Sequence, residues 1–200
     1  MKLFELLKNP KYKYAVITSL SLTLLAIGLW IFMGRILQNY PAEPSRDFVL
    51  ELLPTIHNSI TIGIYLYGFI LVLLALLFWF LLKEPEKLPQ FYYVFGFALL
   101  LRVLMFSVTL LSAPAGRPDR LVDGFEFDRD LFPSAHAALP FAAGLITADK
   151  RLRYILFGIS ALIAADILLL KIHYTMDVIA GYFIFYAVYK LVQKYLPNIA

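Results

Sequence analysis

The chain has 200 residues, of which 61% are hydrophobic and 16% charged, with a net charge of +4 and no cysteine. Soluble domains are about 45–50% apolar and about 25% charged, and a chain this small cannot bury the excess in a water-soluble core. A soluble enzyme, a disordered chain, a disulfide scaffold and thiol or cysteine-zinc chemistry are excluded, which leaves an integral membrane protein.

A bilayer core about 30 Å thick is crossed by roughly 20 apolar residues in a helix. Six segments fit, at 14–33, 60–82, 91–111, 132–148, 154–170 and 174–189. Their apolar runs are continuous, so helices are expected rather than the alternating strands of a barrel. The first segment exceeds the core of a cleavable signal. The sequence after it, Gly34-Arg35-Ile36-Leu37-Gln38, offers no small-x-small cleavage site, so it is read as a retained span. Between the first two spans, Phe48, Val49, Leu52 and Leu53 recur at helical spacing beside Asp47 and Glu51. That pattern predicts a short interfacial helix, either a cap over the bundle or a gate for lipid. After the third span, 112–131 is charge-dense, with Arg117, Arg120 and Arg129 against Asp119, Asp123, Glu126, Asp128 and Asp130. It reads as a solvated loop or as an attractor for a cationic headgroup. The last three spans hold 16–17 residues each, roughly 25 Å of helix, and need polar flanks to cross. One domain covering 1–200 is expected: an all-α bundle of six transmembrane helices.

Orientation follows from Lys and Arg in the short loops. With the N-terminus inside, the inner segments carry 11 of the 18 basic residues and four carboxylates, or +7; the remaining seven basic and ten acidic residues leave −3 outside. Both termini are then cytoplasmic, and the excess positive charge lies on the cytoplasmic side of the membrane, which removes the suggestion of a nucleic-acid partner.

Ionisable groups within spans are costly and mark cavities, partners or substrate paths. Here they are Arg102, Asp166 and Asp177, with His136 opening the fourth span and Lys171 and His173 between the last two. The topology brings His136 and His173 to the same outer face. His173 and Asp177 are four residues apart, so on a helix the carboxylate can accept a hydrogen bond from one imidazole nitrogen and leave the other nucleophilic. The alternative is an ordinary helix-surface pair. In Phe132-Pro133-Ser134-Ala135-His136, the proline suits a first helical turn. The backbone N–H groups of Ser134, Ala135 and His136 would then form an anion site; the plainer reading is a capping serine. Together these features suit phosphoryl transfer, in which phosphate is positioned, its charge stabilised and the leaving oxygen protonated.

His173-Tyr174-Thr175-Met176-Asp177-Val178 resembles the His-Tyr-Thr-x-Asp-Val motif of sphingomyelin synthases, a branch of the type 2 phosphatidic acid phosphatase superfamily. Asp130-Leu131-Phe132-Pro133-Ser134-Ala135-His136 is similar to the branch's Leu-Phe-Ser-Gly-His segment and to the superfamily's Pro-Ser-Gly-His. The stretch from Arg102 to Pro114, with Thr109, is similar to the branch's Arg-led helix, and 44–54 to its proline-rich first outer loop. Two positions depart from the pattern: Ala135 stands where the family has glycine, and Asp166-Ile167 where the superfamily has Ser-Arg. The synthase branch also lacks that Ser-Arg pair.

The resemblance implies a metal-independent lipid phosphatase or phosphotransferase without cofactor, acting through a phosphohistidine. His173 would be the nucleophile, Asp177 its orienter and His136 the acid, with Tyr174 and Thr175 in the same motif. Ser134, Ala135, Arg102, Lys171 and Arg117 are the candidate phosphate ligands. For Arg102 a structural pairing with Asp166 or Asp177 is the alternative. The expected partners are membrane lipids, including a lipid alcohol such as ceramide or diacylglycerol as acceptor, and the expected location is a bacterial plasma membrane with the site outside. The competing reading is a catalytically silent lipid-binding or scaffold protein of the same fold. A transporter fits less well, because both histidines lie at one face.

Overall fold

A computed structural model describes residues 2–118 and 130–196, and every regular element among them is helical. In chain order these are α1 (Lys2–Leu6), α2 (Pro10–Leu37), α3 (Phe48–Leu52) and α4 (Ser59–Gly63). A π-helical turn (Ile64–Gly68) joins α4 to α5 (Phe69–Leu82). A 3-10 turn (Pro85–Lys87) leads into α6 (Leu88–Thr109), followed by α7 (Ala138–Ile146), α8 (Lys150–Leu169) and α9 (Thr175–Tyr195).

Polar residues cap the starts. Asn9 accepts from Lys11 N–H with Pro10 in the first turn, Asp47 caps α3, Asn58 caps α4 and Asp149 caps α8. Each satisfies an N–H that has no partner within its helix. The short interfacial helix expected around Phe48 is α3.

Among the described residues five helices are long and apolar enough to cross a membrane: Pro10–Leu37, Ser59–Leu82, Pro85–Thr109, Lys150–Leu169 and Thr175–Tyr195. Large apolar side chains such as Leu24, Phe32, Leu71, Phe78, Leu104, Leu162 and Phe183 stay exposed on their outer faces. Such a belt is unstable in water and suits lipid. This is an integral membrane architecture.

The segment 132–148 departs from expectation. Its helix is only the nine residues of α7, about 14 Å long, and 131–137 are irregular. Pro133 does not open the helix; it follows a cis bond to Phe132 and precedes α7 by five residues. Tertiary partners claim the backbone that a longer helix would have used. Arg102 Nε donates to Pro133 O at 2.7 Å, and Ser134 N–H donates to Asp177 O at 2.9 Å.

α7 is nevertheless the centre of the bundle. Ala138, Leu139, Ala142, Ala143 and Ile146 are buried with Phe80, Phe91, Val94 and Phe185 in the main core. Small residues on α7 permit close approach, as does Gly96 where α6 lies against Thr23 of α2. Gly181 of α9 is the tightest case: a side chain there would collide with the Ser134 carbonyl.

The loops sort to two ends. At one, Tyr12 Oη donates to Pro85 O at 2.6 Å, and Glu84 accepts from Thr147 Oγ1 and Ala148 N–H at 2.6 and 2.8 Å. The lysine- and arginine-bearing segments 8–13, 83–87 and 147–153 therefore meet there. At the other end, Ile56 N–H donates to Leu169 O at 3.0 Å, and both histidines of interest lie there too.

Candidate active site

The turn between α8 and α9 builds one half of the site. Lys171 has a left-handed backbone (φ 57°), which reverses the chain and turns His173 inward; His173 is 1% exposed. Asp177, in the first turn of α9, reaches back so that Tyr174 N–H donates to its Oδ2 at 2.8 Å. This is the acidic half of a capping box, which satisfies an otherwise orphaned N–H.

The irregular segment 131–137 supplies the other half. His136 Nδ1 lies 3.3 Å from His173 Nε2, with ring centroids 5.4 Å apart. The two histidines that the sequence places in different hairpins thus meet directly.

Asp177 Oδ2 is 3.4 Å from His173 Nδ1. The spacing of four residues brings the groups together, but the expected orienting hydrogen bond is not aligned. His173 Nδ1, Asp177 Oδ1 and Ser134 Oγ are buried without a hydrogen-bond partner. Asp177 acts first as a helix cap and second as the carboxylate behind His173.

Burial holds the His173 imidazole well below its ordinary pKa. The charges of Arg102 and Arg117 add to that effect, and the Leu131 backbone opposes it. The ring is therefore neutral at physiological pH, the state in which a nitrogen keeps a lone pair for attack or for accepting a proton.

The expected phosphate ligands divide. Arg102 pairs neither with Asp166 nor with Asp177. Its Nη1 meets Asp130 Oδ2 at 2.9 Å, its Nη2 donates to Asp130 O at 3.1 Å and its Nε to Pro133 O. Trp30 Nε1 donates to the same Asp130 oxygen at 2.5 Å. Arg102 is thus a buried strap that draws 130–133 down into the bundle, which is why a membrane-depth arginine is tolerable here.

Lys171, another candidate phosphate ligand, is engaged by backbone carbonyls. Its Nζ donates to the carbonyls of Leu50 and Leu53, capping the C-terminal end of α3, where a cation complements the helix dipole. The backbone anion nest is also modified. Ser134 N–H is taken by Asp177 O, α7 begins only at Ala138, and the Ala135 methyl packs against the main core. Arg117 is half-buried and its charge reaches His173. Arg120 and Arg129 lie outside the described residues.

Tyr174 and Thr175 organise the surroundings. Tyr174 Oη donates to Ser112 O and accepts from Ser45 N–H, both at 2.9 Å, so it pins the segment before α3 and the segment after α6. Asp47, singled out only as a neighbour of α3, caps two helices at once. It accepts from Leu50 N–H at 2.9 Å, from Thr175 N–H at 2.6 Å and from Thr175 Oγ1 at 3.2 Å. Burial raises its pKa, but these hydrogen bonds outweigh burial and hold it below the usual carboxylate value.

Tyr65 and Phe69 were also missed. Their rings pack on His136 with centroids 5.3 and 4.8 Å away. They sit four residues apart in an otherwise apolar span, so nothing local separates them from ordinary core aromatics.

Among the described residues no three His, Asp or Glu side chains are grouped to ligate a metal ion. No protein-family model matches the chain, and no curated protein matches its sequence.

Proposed function

We propose that the protein is a membrane-embedded lipid phosphatase or phosphotransferase that works through a phosphohistidine. The observation that carries the reading is the contact between neutral, buried His173 and His136, with Asp177 behind His173. The resemblance of 173–178 and 130–136 to the sphingomyelin synthase pattern supports the same assignment.

The topology proposed with it has six crossings and cytoplasmic termini, with α7 and the irregular 131–137 together forming the fourth. Non-helical backbone is tolerated at membrane depth only where protein surrounds it, and the hydrogen bonds of Pro133 and Ser134 meet that condition. The gathering of basic segments at the opposite end supports an outward-facing site, in a bacterial plasma membrane.

In the proposed reaction, His173 Nε2 attacks phosphorus while the bond to the leaving oxygen breaks. That oxygen takes a proton from His136, leaving phosphohistidine and a lipid alcohol. Water or a lipid hydroxyl then gives its proton to His136 and attacks phosphorus, releasing His173. Asp177, when ionised, stabilises the positive imidazole ring of the intermediate. In-line attack needs phosphorus about 3–3.5 Å from the nucleophile, with the leaving oxygen beyond it. A nitrogen–nitrogen distance of 3.3 Å leaves no room for both, so substrate binding must part the two rings.

That contact, with Arg102 committed to Asp130 and Lys171 to α3, is also what favours the second reading of a catalytically silent lipid-binding or scaffold protein. Release of phosphate or phospho-headgroup from a panel of lipids, in detergent with EDTA, decides between them. Turnover that survives EDTA and disappears in His173→Ala supports the enzyme. Absence of turnover on every lipid overturns it. Addition of a ceramide or diacylglycerol acceptor separates transfer from hydrolysis.

A further inference from the structure

The second membrane-spanning helix is not regular. It runs as α4, then a π-helical turn over Ile64–Gly68, then α5. Single π turns interrupt the normal ladder at an energetic cost and recur at functional sites. Here the interruption carries Tyr65 and leads directly into Phe69, the first residue of α5.

Both rings lie on His136. Phe69 is inclined at 59° to the imidazole with centroids 4.8 Å apart, and Tyr65 at 46° with centroids 5.3 Å apart. Each ring is anchored in a different part of the interior. Tyr65 is buried with Ile163, Ile167 and Ile172, whereas Phe69 packs on the main core around α7. His136 itself belongs to an irregular segment, in the turn just before α7, with no helix of its own to hold its direction.

We infer that Tyr65 and Phe69 are positioning residues that aim the His136 imidazole at the oxygen leaving from phosphorus. The inference rests on the phosphohistidine reading above. A π turn has more residues per turn than an α-helix, so side chains four apart come closer to the same direction and close on one imidazole together. The ring centroids lie within the ~6 Å over which an aromatic ring attracts a cation. The rings favour the protonated imidazole that an acid must supply. Burial opposes that positive charge first, and His173, Arg102 and Arg117 add to the opposition. The clamp therefore works against its surroundings.

An acid matters most when the leaving group is a poor one. The test compares an alkyl phosphate ester with a nitrophenyl phosphate ester, whose leaving oxygen departs without a proton. In Phe69→Leu and Tyr65→Leu, kcat/KM of the alkyl ester, which reads the half-reaction that expels the leaving oxygen, should fall roughly 10–100-fold while that of the nitrophenyl ester stays within about threefold. Phe69→Tyr and Tyr65→Phe, which keep the rings, should retain alkyl-ester turnover. In a His136→Gln background the Leu substitutions should have no further effect, because the residue they act through is gone. Equal loss on both esters, or additive loss in the His136→Gln background, overturns the positioning role while leaving the phosphohistidine reading intact. Wild-type protein inactive on both esters and on the lipid panel overturns the reading itself and the inference with it.

Discussion

At the end of the bundle where residues 84 and 147–149 meet, the buried Glu84 carboxylate is fully occupied. It accepts from Trp79 Nε1 at 3.0 Å, Thr147 Oγ1 at 2.6 Å, Ala148 N–H at 2.8 Å and Asp149 N–H at 3.4 Å. At the opposite end the buried Asp177 carboxylate leaves Oδ1 without a partner, and His173 Nδ1 and Ser134 Oγ are in the same condition. Both ends are buried and polar. What differs is saturation.

A saturated carboxylate holds loops together. An unsaturated cluster retains hydrogen-bonding capacity at a cost in stability, since a buried polar atom left unpaired costs about 1–3 kcal/mol. Proteins keep such clusters where chemistry or binding needs them. The contrast gives the end with Glu84 a structural role and supports the proposal that the end with His173 is the functional one.

The largest expected effect breaks that contrast at the functional end. His173→Ala should lower turnover by more than about 10³-fold while leaving the thermal unfolding midpoint in detergent near wild type. A protein that unfolds instead would put His173 in the same class as Glu84.

Glu84→Ala should do the reverse. It strands the Thr147 hydroxyl, the Ala148 N–H and the Trp79 indole, while Asp149 N–H keeps Thr147 Oγ1, at about 3 kcal/mol in unfolding free energy. Turnover per folded molecule should be unchanged.

Asp47→Ala tests the boundary between the two classes, because this residue caps α3 and α9 at once. Losing both caps should cost about 1–2 kcal/mol. It should also loosen the turn that holds His173, which would appear as faster hydrogen exchange at 173–178.

Acidification should withdraw the stabilisation that Asp47 supplies at one end and Glu84 at the other, with the same sign. Asp47 and Glu84 have depressed pKa values when folded, despite the burial that raises them, because their hydrogen bonds outweigh it. Their stabilisation is present above their ordinary values and is lost as pH falls through the folded ones. Buried His173 also has a depressed value, so below its ordinary 6.5 the unfolded chain binds a proton that the folded one does not. Its contribution to stability falls by up to about 1.4 kcal/mol per pH unit in that window. Unfolding followed against pH in detergent should show the His173 contribution as a difference between wild type and His173→Gln that opens below about pH 6.5.

Ser134→Ala is the smallest effect. Its hydroxyl makes no hydrogen bond, so the change should be neutral or stabilising by up to about 1 kcal/mol. A marked destabilisation would show that the functional end is more saturated than its geometry indicates.

Long apolar runs made the membrane class legible without any structure, because hydropathy is additive along the chain. The charge bias of the loops separated the two ends for the same reason, and the apolar spacing around Phe48 located α3. His173 and Asp177 were legible as a pair because four residues bring side chains together wherever the backbone is helical. Their alignment was not, because Asp177 Oδ2 is claimed by the Tyr174 N–H.

The tertiary structure alone decided the rest. Apolarity over 132–148 predicts a span, yet only Ala138–Ile146 is helical, because Arg102 and Asp177 claim the backbone before it. Arg102 looked toward phosphate or the two intramembrane aspartates and instead holds Asp130, while Lys171 caps α3. The sequence by itself determined the solvent, the long helices and the residues with the right chemistry. Which atom each of them engages was decided by the fold, since hydrogen-bond partners 28 to 128 residues apart depend on distances that no local pattern encodes.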